Sequence, residues 1–264
     1  VIRILLALIL VFGGCGVHAQ VKKRSSATKP VAARSPARLW APKPGEPWQW
    51  QLNVPVDLGV AVPVYDIDGF ENSALVVQRL HALGRHVVCY MSAGSAEDFR
   101  PDYPSFPQAV LGMPNGWRGE RWLDVRRIDV LKPIMAKRFD LCRARGFDAV
   151  EPDLLDGYTN KTGFPLTSAD QLQYNRMIAL LAHQRGMAVA LKNDLEQIPE
   201  LVSVFDFAIN EECAKFSECG LLKPFVTAGK AVLHVEYDRL ACGFAGFSSM
   251  RKHLALGAWR EPCP

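Results

Sequence analysis

The first 38 residues hold none of the 27 acidic residues, yet 7 of the 31 basic ones. The remainder therefore carries 24 bases against 27 acids, a net charge of −3 beneath the +4 of the whole chain. A basic tail on a mildly acidic body is the reverse of a nucleic-acid-binding domain, whose basic patch lies on the folded part. Nucleic acid is not an expected partner. No apolar run reaches the roughly 18 residues of a membrane-spanning helix. There is no Cys-x-x-Cys and no pair of histidines at ligand spacing, so no metal centre is expected. No phosphate-cradling glycine loop, dinucleotide fingerprint or Gly-x-Ser-x-Gly elbow is present, and no cofactor is expected. Internal repeats and a second domain are also missing.

What remains is ordinary globular composition, with 49% hydrophobic and 22% charged residues in 264. That length suits one barrel-sized α/β domain. Arg3 precedes an apolar run at residues 4–12, of the length of a signal-peptide core. Two endings compete. Val17-His18-Ala19 before Gln20 reads as a signal-peptidase site. Phe12-Gly13-Gly14-Cys15 reads as a lipobox, which would acylate Cys15 and anchor the chain to a membrane. Residues 1–19 are thus expected to be an export signal, residues 20–45 a Lys/Arg/Ser/Ala/Pro linker, and residues 46–264 the folded domain. The expected protein is exported, as a secreted, periplasmic or outer-envelope lipoprotein, and monomeric. Export makes disulfides plausible. A bond between Cys213 and Cys219 would stiffen a polar loop, and one between Cys242 and Cys263 would tether the C-terminus. Cys89, in an apolar strand, and Cys142, on a helix, read as buried thiols.

Short β-like runs alternate with helical stretches, the pattern of a parallel sheet with crossover helices. Strands are expected at 47–53, 60–66, 86–92, 147–153, 187–193, 205–211 and 230–237, with an eighth at 121–125. Helices are expected at 71–84, 129–146, 167–186, 195–203 and 248–256. The fold class is α/β, a (β/α)8 TIM barrel. The strand bodies are apolar, and their C-terminal ends collect polar residues: Asn53, Tyr65 and Asp66, Ser92, Asp153, Lys192 and Asn193, Glu211, and Glu236. Such barrels place their chemistry at that face.

The densest acidic end is Glu151-Pro152-Asp153, followed by Asp156 in the loop. A two-residue period points Glu151 and Asp153 to one face. Adjacent carboxylates repel, so a neutralising neighbour is expected, and Lys192 is the candidate. In the second acidic strand, Phe207, Ile209 and Glu211 share a face, and the apolar residues beneath Glu211 suit a general acid. Glu212 should face the other way or enter the loop. Two carboxylates facing each other across a barrel mouth are the equipment of a glycosidase. Trp48, Trp50, Tyr65, Tyr90, Trp117, Trp122, Tyr158 and Tyr237 gather near the same mouth, where aromatic faces stack on sugar rings or simply fill the core. His86 and His234 lie in strands and read as packed residues.

Several stretches, in order across residues 46–240, carry a family resemblance. They are Val64-Tyr65-Asp66-Ile67-Asp68, Tyr90-Met91-Ser92-Ala93-Gly94-Ser95, Glu120-Arg121-Trp122-Leu123-Asp124, Phe147-Asp148-Ala149-Val150-Glu151-Pro152-Asp153 with Asp156-Gly157-Tyr158, Leu191-Lys192-Asn193, Asn210-Glu211-Glu212-Cys213 and Glu236-Tyr237. In these the chain resembles glycoside hydrolase family 114, the endo-α-1,4-polygalactosaminidases. The resemblance implies a (β/α)8 barrel that hydrolyses α-1,4-linked galactosamine and N-acetylgalactosamine polysaccharide. It carries the family's catalytic Asp to Asp153, as nucleophile of a retaining mechanism, and its catalytic Glu to Glu211, as acid/base. Tyr65, Asp66, Asp68, Ser92, Glu151, Asp156, Tyr158, Lys192, Asn193 and Glu236 are the substrate-binding candidates. Two positions depart from the family pattern. Leu154 stands where Asn is frequent, and Glu212 where Gln is frequent, which places a second acid beside Glu211. Two other readings stay open: a carbohydrate-binding barrel without catalysis, and an envelope protein in which the basic tail is the working part.

Overall fold

The computed structural model describes Gly13 and residues 39–264. The expected export signal, the lipidation site at Cys15 and most of the linker lie outside the described residues. Among those described, no helix is long and apolar enough to cross a membrane.

Eight parallel strands follow one another around the sheet: β1 Trp48–Gln51, β2 Val64–Asp68, β3 His86–Ser92, β4 Ala149–Asp153, β5 Ala188–Lys192, β6 Phe207–Glu211, β7 Val232–Glu236 and β8 Phe247–Arg251. A two-residue antiparallel strand, Glu261–Pro262, borders β8. The strand bodies read as continuous Val/Leu/Ala runs because both faces are buried, as in other helix-covered parallel sheets. Period-2 alternation sorts them into two cores. Trp48, Trp50, Val64, Val88, Ala149, Ala190, Phe207, Ile209, Leu233 and Val235 fill the barrel interior. Tyr65, Ile67, Val87, Cys89, Val150, Val189 and Leu191 face the helices. No ladder joins β8 to β1 among the described residues. Side chains bridge that seam instead. Trp48 Nε1 donates to the Ser248 carbonyl at 2.8 Å, Gln49 Nε2 to the Ala258 carbonyl at 2.7 Å, and the buried Lys252 ammonium to Gln49 Oε1 at 3.2 Å.

The helices α1 Ala74–Ala82, α2 Ile128–Arg145, α3 Ser168–His183, α4 Ile198–Leu201 and α5 Lys223–Thr227 occupy the crossovers. Helix α3 starts on a capping box in which the Thr167 hydroxyl and the Asp170 carboxylate each accept the other's backbone N–H. Gly146 ends α2 at φ 91°, a left-handed position that glycine adopts without strain.

Two expectations about elements need correction. The eighth barrel strand is Phe247–Arg251, inside a stretch expected to be helical. The expected strand at 121–125 is Glu120–Leu123, the middle strand of a separate three-stranded antiparallel sheet with Ser95–Glu97 and Leu111–Pro114. Met250 to Leu256 are mostly good helix formers, but pairing along all five residues of β7 overrides that weak preference. The ordered packing also begins upstream of residue 46. Leu39, Trp40 and Ala41 pack against the inner core, and Trp40 stacks on His86 with ring centroids 4.1 Å apart.

Cys213–Cys219 and Cys242–Cys263 are bonded as expected. Cys89 and Cys142 are not thiols: they form a third disulfide, stapling β3 to α2. Cys89 lies on the helix-facing side of its strand and Cys142 on the buried side of its helix, so the two meet across the interface.

Candidate active site

The C-terminal ends of β1, β3, β4, β5 and β6 surround a cleft of about 490 Å³. Its floor is Lys192, itself 1% exposed. The Lys192 Nζ lies 3.0 Å from Glu151 Oε1, 3.1 Å from Asp153 Oδ1 and 3.0 Å from Glu211 Oε2. Only the Asp153 contact has hydrogen-bond alignment; the others are close ion contacts. The ammonium also sits 4.6 Å from the centre of the Trp50 ring, within cation–π range. Burial alone would strip the proton from Lys192, but the carboxylates of Asp153, Glu151 and Glu211 outweigh it and hold its pKa well above the ordinary lysine value. Strand parity thus did align Glu151, Asp153, Lys192 and Glu211, and the expected neutralising role of Lys192 is what the contacts describe.

Beneath them, Asp66 is fully buried, and neither of its oxygens meets an N–H or O–H donor. It faces Glu151. Burial first, and the Glu151 charge second, push its pKa well above the carboxylate range, and burial raises that of Glu151 too, so the pair favours holding a proton. Glu151, Asp153 and Glu211 thus share one ammonium.

Asp153 accepts three hydrogen bonds: from Lys192, from the Tyr90 hydroxyl at 2.9 Å, and from the Leu154 backbone N–H at 2.8 Å. Glu211 accepts one from the Tyr237 hydroxyl on the oxygen that Lys192 does not touch. Burial, and next to it the adjacent carboxylate, raise the pKa of both phenols, which keeps them as donors. Glu212 turns away at φ 61° and pairs with Lys215 at 2.6 Å. It is Glu211 that reaches the mouth. Asn193 Oδ1 holds the Glu211 backbone N–H at 3.0 Å.

Gly94 matters for this geometry. Its N–H donates to the Asp153 carbonyl at 3.0 Å, and a Cβ there would fall inside the Leu154 carbonyl oxygen. Alanine at Gly94 should displace the Leu154 peptide that fixes Asp153. We expect Gly94→Ala to cost about 1–3 kcal/mol and to lower turnover, measured by thermal melting and initial rates.

Asp156 lines the cleft and an adjoining basin. Burial and the Asp153 charge push its pKa up to about 6. Behind it Asp194 is buried, and its Oδ2 accepts a bond from Asn175 Nδ2 at 2.8 Å. Burial and then Asp156 raise its pKa to about 8. Between the unfolded value near 4 and about 8 the folded state holds a proton that the unfolded chain lacks. The contribution of Asp194 to stability therefore falls as pH rises through that window. Asp194→Asn, at a left-handed position that Asn tolerates (φ 49°), should raise stability at pH 8.5 by about 1–3 kcal/mol. It should change little at pH 4. Melting curves at the two pH values check this.

Several binding candidates are not brought to the cleft. Tyr65 lies on the outer face of β2, and its hydroxyl donates to the Val60 and Asp57 carbonyls at 2.7 and 3.0 Å. Parity gives the inner face to Val64 and Asp66. Asp68 is held by Arg100 Nη2 at 2.5 Å and accepts the Phe70 and Glu71 N–H groups, fixing the loop after β2. The Ser92 hydroxyl bonds Ser95 Oγ at 2.7 Å. Glu236 accepts from Ala214 N and pairs with His234 Nε2, both at 2.8 Å, bracing the loop after Glu211. Tyr158 lines the adjoining basin and donates to Glu196 at 3.2 Å. Asn53, the polar end of the first strand, lines the cleft, and Glu120 and Leu154 line it unforeseen. Tyr90 and Tyr237, expected as stacking or core rings, engage the carboxylates through their hydroxyls. Among the described residues, Cys213, Cys219 and His234 come within metal-ligand reach of one another. The two sulfurs are spent in a disulfide and offer no thiolate.

Two carboxylates at facing strand ends, braced by phenols and a lysine in an aromatic-walled cleft on a (β/α)8 barrel, define a glycosidase-type site. The sequence model of glycoside-hydrolase family GH114 matches residues 29–264. The chain belongs to glycoside hydrolase family 114 and is a glycosidase. The structure of Aspergillus fumigatus Ega3 in complex with galactosamine is similar at 35% identity and a TM-score of 0.79, over 88% of this chain and 100% of that one. The glycoside hydrolase domain of PelA from Pseudomonas aeruginosa shares the fold at 14% identity and a TM-score of 0.61, over 81% of this chain and 96% of that one. An uncharacterized protein of Deinococcus radiodurans is 30% identical over 165 residues, 58% of this chain and 52% of that protein. The match thus spans about half the length of that curated relative.

Proposed function

We propose that this chain is an endo-acting hydrolase of α-1,4-linked galactosamine- and N-acetylgalactosamine-containing polysaccharide, working with retention of anomeric configuration. Asp153 is the nucleophile and Glu211 the acid/base. The observation that carries this reading is the shared lysine. One oxygen of each carboxylate touches the same Nζ, at 3.1 and 3.0 Å, so those two oxygens are no farther apart than the two contacts laid end to end. A shared ammonium draws the two carboxyl groups together, which supports the closer pairing of retaining enzymes, roughly 5–5.5 Å, over the roughly 6.5–9.5 Å of inverting ones.

In the first step Glu211 gives its proton to the glycosidic oxygen as Asp153 attacks the anomeric carbon. The leaving sugar departs and a glycosyl ester forms on Asp153. In the second step Glu211 takes a proton from water, the water oxygen attacks the same carbon, and Asp153 is released as carboxylate. The three bonds accepted by Asp153 fix it for attack. Tyr237 can hold Glu211 in either protonation state. The galactosamine present with Ega3 and the acids Glu120, Asp153, Asp156 and Glu211 around the cleft support an amino sugar as substrate, because an acidic cleft concentrates cations. Three disulfides support maturation in an oxidising compartment and hence export.

Proton NMR of the first product formed from partially de-N-acetylated α-1,4-galactosaminogalactan tests the mechanism, and the product lengths test endo action. The α-anomer appearing first, among oligosaccharides of mixed length, is expected. The β-anomer first would reject retention, and monosaccharide release alone would reject endo cleavage.

A further inference from the structure

A second basin of about 520 Å³ adjoins the catalytic cleft and shares with it Trp117, Asp156, Asn193, Glu211, Tyr237 and Leu254. No Lys or Arg lines it among the described residues, whereas Glu196 and Glu218 do; of the other two acids there, Asp194 has its pKa raised to about 8, and Glu212 is paired with Lys215, whose Nζ lies 5.6 Å from the centre of the Phe216 ring. Large apolar side chains stand out of it into solvent. Phe216 is 62% exposed, Leu254 58% and Trp117 57%. Single exposed apolar residues are common on protein surfaces, but three around one basin mark a binding surface. Phe216 is not loosely placed. It sits on the loop closed by the Cys213–Cys219 disulfide. Its N–H donates to the Glu212 carbonyl at 3.1 Å, and the Glu218 N–H donates to the Cys213 carbonyl at 2.8 Å. An aromatic ring that is both exposed and rigidly held loses little entropy when a ligand stacks on it.

We propose that this basin is a distal subsite for a further amino-sugar unit of the same polymer, with Phe216 as its stacking platform on the disulfide-closed loop. The polymer would run from the Asp153–Glu211 pair past Trp117 and Leu254 to Phe216. This rests on the function proposed above for the occupant's identity. Glu196 and Glu218, in a lining without Lys or Arg, favour an amine-bearing unit over an anionic one. Phe216 would then be a specificity-determining residue that sets affinity for long chains while standing outside the bond-breaking centre.

The test measures binding separately from cleavage. Full-length protein carrying Asp153→Asn is titrated with partially de-N-acetylated α-1,4-galactosaminogalactan by calorimetry, alone and combined with Phe216→Ala or Phe216→Trp. Loss of one aromatic contact should weaken binding about tenfold in the Ala variant, and Trp should restore it. In the otherwise native enzyme, Phe216→Ala should raise KM and shift the product-length distribution. Equal affinities for the Asp153→Asn protein with and without Phe216→Ala would overturn the subsite, and so would no polymer binding by either. Failure of the native enzyme to release reducing ends would instead count against the proposed hydrolase function, which the binding titration does not read. Phe216 is mostly exposed, so the substitution should leave the fold intact, as a melting curve would verify.

Discussion

Replacing Lys192 by Met should lower the melting temperature by about 10 °C at pH 8 and abolish measurable activity. The ammonium is 1% exposed and is shared by Glu151, Asp153 and Glu211. Removing one partner of a buried ion cluster leaves its other charges uncompensated, at about 3–5 kcal/mol. For a domain of this size that is about 2–4 °C per kcal/mol. The crowded carboxylates can relieve their repulsion by taking up protons. The Lys192 charge opposes the upward shift that burial gives Glu151 and Asp66, so without it these two take up protons more readily. The deficit of Lys192→Met should therefore shrink as pH falls from 8 towards 5. Melting curves across that range read both the size and the slope. An unchanged melting temperature would mean that the lysine is not the keystone of the strand-end layer.

The second large effect separates the two carboxylates by role. Glu211→Ala should lose about 10²–10⁴ of turnover on polysaccharide, the usual contribution of general acid/base catalysis. Azide supplied in solution should restore release from an activated aryl glycoside, because a good leaving group needs no proton. The azide enters after the Asp153 ester has formed, so the glycosyl azide should keep the substrate's anomeric configuration. Asp153→Ala rescued in the same way should give the inverted azide, since the anion then replaces the nucleophile itself. Exchange of these two outcomes would reverse the assignments of Asp153 and Glu211.

Strand parity is why so much of this site was legible. Glu151 and Asp153 are two apart in one strand, Glu211 follows Phe207 and Ile209, and Lys192 follows Ala188 and Ala190. In each case the apolar interior predicts which face the polar end takes. Parity holds for Asp153, Lys192 and Glu211 at the ends of β4, β5 and β6, but it does not settle every strand end, because where the chain turns a polar side chain can brace a loop instead. Asp68, Ser92 and Glu236 do so through Arg100, Ser95 and Ala214. The Cys89–Cys142 bond joins residues 53 apart, and two cysteines in apolar surroundings carry no local sign of a partner. The eighth strand was hidden because Phe247-Ser248-Ser249-Met250-Arg251 is mostly polar, unlike the apolar bodies of the other strands, and runs into helix-forming residues. Only its register on β7 reveals it. The hydroxyl contacts of Tyr90 and Tyr237 were missed for a related reason. An inward aromatic at a barrel mouth reads equally as core, as sugar platform or as hydrogen-bond donor until the carboxylate it meets is placed.

The most direct test of the Asp153–Glu211 site is a reducing-end assay on partially de-N-acetylated α-1,4-galactosaminogalactan, with the full-length protein and its Asp153→Asn variant side by side. Asn keeps the shape of the side chain and removes the nucleophile. The expected result is steady release of new reducing ends by the native protein, and release at least about 10³-fold slower by a variant with an undisturbed melting curve. Equal release by the two proteins would contradict the placement of the reaction at Asp153.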